Sequence, residues 1–282
     1  MHKFIVLILF VFFFTSSSAD TSKIKNNLFQ SIEKFLDGNF EDTDFSIKSK
    51  EGNKPEVGIL TFKPLEDTSD NLTFFQGSFF THDGDRETLN LGIGKRFLNS
   101  DESFLYGLNV FYDHELDYNH RRGSIGGEIK SSIIELNTNH YFGISDLRTG
   151  KNDVQEDVAD GYDLEFGAHV PYVPSAKIFA KIFEYKIQGG SDYEGTEYSS
   201  KIGVPNSGMN IELGLKEFAS SSYDDHWFIN LTFNLNKINP DKKFINNEPY
   251  EKISMKDKKY EKVRRENLIL KSKSFTVKAG GF

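Results

Sequence analysis

From Asp42 to Asn236 apolar and polar residues alternate along most of the chain, and no other feature of this sequence constrains its fold as strongly. Trp227, Ile229, Leu231, Phe233 and Leu235 alternate with Phe228, Asn230, Thr232, Asn234 and Asn236. The same split sets Tyr162, Leu164, Phe166 and Ala168 against Asp163, Glu165, Gly167 and His169, and Ile211, Leu213 and Leu215 against Asn210, Glu212, Gly214 and Lys216. A period of two is that of a strand whose faces meet different media. Twelve such segments can be read, over 42–50, 55–63, 72–81, 88–97, 103–113, 121–130, 133–142, 161–171, 176–185, 197–205, 209–218 and 227–236. Strands of about ten residues, even in number, suit a tilted transmembrane barrel. A soluble sandwich would alternate too, but with strands of about five or six residues. Tyr106, Tyr112, Tyr162, Tyr198 and Trp227 fit aromatic girdles at the two membrane boundaries.

Composition removes competing classes. With no cysteine the chain cannot build a disulfide scaffold, a cysteine-ligated zinc site or a thiol nucleophile. Its 34 basic and 42 acidic residues give a net charge of −8, the wrong sign for a protein that binds nucleic acid through a broad basic surface. A mean hydropathy of −0.49 leaves no room for a bundle of transmembrane helices. Lys3, the apolar run Phe4 to Phe14, and Ser17 and Ala19 before Asp20 have the order of a secretory signal peptide. The expected organisation is a signal peptide at 1–19, a short periplasmic helix within 20–41, a barrel at 42–236 and a basic segment at 237–282. Ile24, Leu28, Ile32, Phe35 and Leu36 set the helical spacing.

Long or polar connections (Glu51 to Lys54, His82 to Glu87, His114 to His120, Gly143 to Asp160, Lys186 to Thr196 and Ala219 to His226) alternate with tight ones such as Ser131 to Ser132 and Asn206 to Gly208. Barrels have long external loops and short periplasmic turns, so both barrel ends are expected in the periplasm and Gly143 to Asp160 is the main external loop. The inward face carries Arg96, Asp113, Arg122, Glu128, Glu135, Asp163, Glu165, Lys181, Lys201, Glu212 and Lys216, with Lys130 and Lys177. Such residues need water or each other, and so line a hydrated lumen. In the final segment, thirteen Lys and Arg against six Asp and Glu give +7 and leave −15 on the rest of the chain. That complementarity suggests a plug, with Arg264 and Arg265 pairing with carboxylates such as Glu128, Asp163 and Glu165; a solvated, disordered basic tail is the alternative, which Val263, Leu268, Ile269 and Leu270 speak against.

Chemistry-bearing motifs are weak. Ser124 and His140 fall on opposite faces of the alternation, which leaves no nucleophile with a base beside it, and no enzyme is expected. His82, Asp83, Gly84 and Asp85 read as turn chemistry rather than a cation site. Gly92, Gly94, Gly123, Gly126 and Gly127 sit inside strands without the flanking features of a phosphate loop, and mark bends or close approach. No metal or cofactor is expected.

FFQGSFF at Phe74 to Phe80, LNLGIGKRF at Leu89 to Phe97, YGLNVFYD at Tyr106 to Asp113, RRGSIGGEI at Arg121 to Ile129 and GYDLEFGAHVP at Gly161 to Pro171 together resemble the β-domain of the intimin/invasin family, the inverse autotransporters. The resemblance covers most of 25–270. It implies a twelve-stranded antiparallel outer-membrane barrel with a periplasmic N-terminus, followed by a linker that turns back through the pore towards an external adhesive passenger. Tyr260, Val263, Arg264, Arg265, Asn267 and Ile269 are similar to that linker, with Glu266 where an asparagine is expected. The sequence ends at Phe282 without immunoglobulin-like or lectin-like repeats, so the expectation is a passenger-less member acting as membrane anchor and translocation-type pore. The resemblance names no passenger and no host ligand for this sequence. A small porin-like diffusion channel is the alternative, and a barrel enzyme the third reading. The implied partners are outer-membrane lipid, the barrel-assembly machinery and periplasmic chaperones.

Overall fold

The computed structural model describes residues 42–83, 86–234, 236–239, 245–250 and 253–274. The expected signal peptide and short N-terminal helix lie outside these residues, as does part of the turn at Gly84 and Asp85. Fifteen strands occur: β1 Asp42–Lys50, β2 Glu56–Asp67, β3 Asn71–His82, β4 Arg86–Leu98, β5 Phe104–Glu115, β6 His120–Ser131, β7 Ile134–Gly143, β8 Arg148–Thr149, β9 Gln155–Val158, β10 Gly161–His169, β11 Ala176–Tyr185, β12 Tyr193–Gly203, β13 Met209–Phe218, β14 His226–Asn234 and β15 Lys271–Ser274. Twelve of them, β1 to β7 and β10 to β14, form one closed antiparallel barrel. Closure comes from β1 pairing with β14, Ile47 opposite Leu231 and Asp44 opposite Asn234, so no sheet edge remains in the wall. The rim holding Asp42 and Asn234 is here the proximal rim, and that holding Lys50 and His226 the distal rim.

The alternation sorts the two faces. Ile93, Leu108, Val110, Ile125, Leu164, Phe166, Leu213 and Leu231 are exposed on the outside, with Tyr106, Tyr112, Tyr162, Tyr198 and Trp227 among them. Arg96, Asp113, Arg122, Glu128, Asp163 and Glu165 are buried inside. The inward face is not uniformly polar, which explains why Leu105 and Phe111 break the pattern of β5. Leu105 packs inside with Leu98 and Met255, and Phe111 packs with Phe62, Leu72, Phe74 and Val263. Two strand glycines make room for that second cluster: a Cβ on Gly92 would fall 2.2 Å from the Phe111 ring, and one on Gly94 would fall 2.3 Å from Phe74. Close approach of a neighbouring ring is the reason for glycine here, in line with the sequence.

The long connection after β7 is a folded element rather than a free loop. It contains β8, a single 3-10 turn at Lys151–Asp153, and β9, and β9 pairs on its other side with β15 from the C-terminal segment in the order β15-β9-β8. This small sheet stands at the distal rim.

Candidate functional site: the lumen and its linker

Beyond β14 the described residues touch the proximal rim at successive turns. Asn239 donates to the carbonyls of Val204 and Met209 at 3.1 and 2.8 Å, the Asn246 amide to Tyr172 at 2.7 Å, and the Met255 amide to Glu102 at 2.8 Å. Lys259 then reaches the next turn, donating to Asp67 at 2.9 Å and to the Thr68 carbonyl at 2.7 Å. Beside it the Tyr260 hydroxyl donates to Asp67 at 2.5 Å, and that bond pushes the phenol up to about 12. From Glu261 to Leu270 the linker has no secondary structure and runs along the lumen to the distal rim. Ten extended residues span about 33 Å, enough to cross a hydrocarbon layer of about 30 Å.

An extended strand inside a pore has no partner strand, and its amides and carbonyls must still be satisfied. Side chains of the wall do this. Arg96 donates to the carbonyls of Lys259 and Glu261 at 2.5 and 2.6 Å, and Arg122 to those of Leu268 and Glu266 at 2.9 and 2.7 Å. Asn139 donates to the Arg264 carbonyl at 3.0 Å, and Asn90 to that of Asn267 at 2.9 Å. In the other sense, Gln76 accepts from the Val263 amide at 2.8 Å and the Tyr141 hydroxyl from the Glu266 amide at 2.7 Å.

Linker side chains supply charge and apolar contact. Arg265 makes a two-pronged pair with Asp113 at 2.8 and 2.7 Å, and Asp113 also accepts from Arg122 and Asn90 at 2.8 Å each. Arg264 donates to Glu165 at 2.6 and 2.9 Å and to Glu212 at 2.9 Å. Lys262 pairs with Asp42 and Asp44, and Lys271 with Glu115. Val263 and Tyr260 join the Phe74 cluster, Met255 the floor with Leu98 and Leu105, and Leu270 a distal cluster with Tyr141, Phe183 and Tyr185. The linker is thus held at three heights by apolar packing and between them by ion pairs.

Every linker residue singled out from sequence has such a seat: Ile269 is buried, and Asn267 is held through its carbonyl. The pairing of Arg264 with Glu165 agrees with the sequence reading. Two other pairings differ. Glu128 pairs with Arg96 and Lys130 of the wall, at 2.5 and 3.1 Å, because it lies on the neighbouring rungs of the same wall. Asp163 accepts from Asn139 and Tyr141, both at 2.7 Å, which leaves Asp113 to take Arg265. Glu135 pairs with Lys177, and Glu197 bridges Lys181 and Lys216. Sequence reasoning missed Gln76, Asn90, Asn139 and Tyr141, whose work is to satisfy another segment's backbone; their only signal is polarity on the inward parity.

At the distal exit Arg86 donates to Glu115 at 2.7 Å and to Glu156 of β9 at 2.8 and 3.1 Å, with His120 at 3.0 Å from Glu115. Glu115, His120 and Glu156 have ligand atoms within 4.8 Å of one another, but Arg86 and Lys271 already occupy the carboxylates. The cluster acts as a clasp between wall, hairpin and linker.

The linker backbone lies against the wall made by β3 to β7, while the side chains of Arg264 and Lys262 reach Glu165 on β10, Glu212 on β13 and Asp42 and Asp44 on β1. Between the linker residues Lys262 to Leu268 and the strands β1 and β11 to β14 runs a cavity of about 220 Å³, faced by Asp44, Lys48, Lys181, Glu197, Lys201 and Asn230.

Residues 15–267 match a family described as "Inverse autotransporter, beta-domain", and all twelve wall strands fall within that span. The chain belongs to the inverse autotransporter β-domain family. Among curated relatives, a putative attaching and effacing protein homolog of Escherichia coli K12 is 30% identical over 47% of this chain and 43% of its own length. Intimin of Citrobacter freundii is 33% identical over 46% of this chain and 14% of its own, and invasin of Yersinia enterocolitica 24% identical over 69% and 23%. The alignments with these three span less than half of each relative. A solved structure from a study of in-meso crystallisation of membrane proteins covers 83% of this chain and 100% of its own, with a TM-score of 0.68 at 20% identity, a likeness of fold. This inverse autotransporter β-domain is an outer-membrane barrel, and the family is one of adhesin and autotransporter barrels.

Proposed function

We propose that the barrel anchors an exported polypeptide in the outer membrane and is the route by which the segment after β14 reaches the outside. The start of β1 lies in the periplasm in this reading, the collar on the proximal rim is periplasmic, and the linker runs outward to the clasp at Glu115 and Glu156. The observation that carries it is the grip on linker backbone by Arg96, Arg122, Asn90, Asn139, Gln76 and Tyr141. Contacts to backbone tolerate many side chains, as a conduit for extended polypeptide requires. The domain limits 1–19, 20–41, 42–236 and 237–282, and the lumen and linker residues named above as functional, belong to this proposal. So do the barrel-assembly machinery and periplasmic chaperones as partners. The names intimin and adhesin belong to the relatives; any adhesive activity here would reside in whatever the linker delivers.

A barrel enzyme has no comparable support, since Ser124 is taken up by Arg265 at 3.1 Å while His140 lies on the outer face. The test is orientation. An epitope inserted at Asn152, in the turn between β8 and β9, and a second fused after Phe282 should both bind antibody on intact cells. Labelling of either only after permeabilisation would overturn the reading.

A further inference from the structure

The linker runs along one side of the lumen, and Lys262 to Leu268 form one wall of the space that remains. That space is built as a path: Asp44 and Thr232 lie near its proximal end, Lys201 and Glu212 above them, then Lys181 and Glu197. A cavity of about 220 Å³ lined by charged and amide groups holds on the order of ten waters. One rung further towards the distal rim the same inward face turns aromatic. Phe183 follows Lys181 on β11, Tyr193 lies beyond Glu197 on β12, and Phe218 follows Lys216 on β13. Their ring centroids are 5.4 Å (Phe183 to Tyr193), 5.8 Å (Phe183 to Phe218) and 4.8 Å (Tyr193 to Phe218) apart. Tyr223 from the distal connection packs on two of them at 5.1 and 5.3 Å. Leu270 of the linker packs against the same cluster. Beneath this roof the Lys216 ammonium sits 4.6 Å from the Phe183 centroid and 3.2 Å from Glu197.

We propose that the space left beside the linker is an ion path, closed at its distal end by the aromatic roof Phe183, Tyr193 and Phe218 even while the linker stays seated. Polar rungs hydrate small ions up to Lys181 and Glu197, and three rings in mutual contact exclude water above them, as hydrophobic constrictions do in channels. The roof is distinct from the linker's main seat: its rings come from β11 to β13, whereas most of the linker's ion pairs and all its backbone contacts named above lie along β3 to β7 and β10, with Glu212 of β13 and Asp42 and Asp44 of β1 reached only by the side chains of Arg264 and Lys262. The inference goes beyond the anchoring reading and holds for either orientation in the membrane.

The experiment is single-channel recording in planar bilayers of the full chain carrying Phe183→Ala with Phe218→Ala. Conductance should rise by about tenfold or more over the unsubstituted protein. Lys181→Gln with Lys201→Gln in that background should shift the reversal potential towards cations. Because Phe183 is buried and its loss can impair assembly, Phe218→Ser with Tyr223→Ser, at a strand end and in the connection, makes a second roof variant with the same expectation. Linker seating is followed separately by a spin label at Ile269→Cys, unique in a chain without cysteine, whose spectrum should stay immobilised in both variants. A silent roof variant that assembles, or conductance that appears only together with a mobile label, overturns the proposal. So does an unsubstituted protein that already conducts as well as the roof variants.

Discussion

The two halves of the lumen solve one problem differently. Along β3 to β7 buried charges and amides are satisfied by a second segment: Arg96, Arg122, Asn90 and Asn139 hold linker carbonyls, and Asp113 holds Arg265. Along β1 and β11 to β14 the charges face a cavity and pair across neighbouring strands, Glu197 with Lys181 and Lys216. The first half is buried and tightly matched; the second keeps a cavity of about 220 Å³. A buried charge depends on its partner far more when no water can replace it, and the two halves should therefore respond unequally to similar changes.

The largest effect is expected at Asp113, which is fully buried and holds two guanidinium groups, from Arg122 and Arg265. Asp113→Asn removes the charge both depend on and should cost about 3 to 5 kcal/mol in denaturant titrations of barrels refolded in lipid. A cost near zero would mean that water reaches this half as freely as the other.

On the outer face of the half that holds the cavity, Leu231 is exposed on β14. Leu231→Arg places a charge in lipid and should destabilise the barrel by about 2 to 4 kcal/mol if the residue lies near the midplane. The same titration applied to Glu212→Gln should show a smaller loss of about 1 kcal/mol, since Arg264 keeps both bonds to Glu165. Thr232→Arg, next to Leu231 but facing the cavity, should stay within about 0.5 kcal/mol because its charge enters water. Equal costs for Leu231→Arg and Thr232→Arg would show that the two faces are misassigned.

The barrel was legible in the sequence because each strand meets lipid on one side and charge on the other, and a period of two records that contrast residue by residue. All twelve wall strands fall on the segments read from the alternation, with ends moved by a few residues; β12, for example, begins at Tyr193 rather than at 197. The linker was legible through its charge. Arg264 and Arg265 face acidic rungs, and only the choice of Asp113 over Glu128 and Asp163 required coordinates. What escaped is whatever depends on contacts between distant segments. The strand β15 exists because Lys271 to Ser274 finds Val158 to Gln155 at the rim, and four residues carry no pattern of their own. The proximal collar is likewise made by single hydrogen bonds to turns far away in the chain, such as Asn246 to Tyr172. Leu105 and Phe111 look like noise in a strand until Met255 and Val263 are brought beside them.

The central claim is that the linker occupies the pore and is held there by the wall. Planar-bilayer conductance of the full chain against a version ending at Asn236 tests it most directly, because only the shortened barrel lacks Arg264, Arg265 and the backbone that Arg96 and Arg122 hold. The expected result is a nearly silent full chain and a shortened barrel with large, steady openings. Equal conductance from two barrels that assemble equally well would contradict the account.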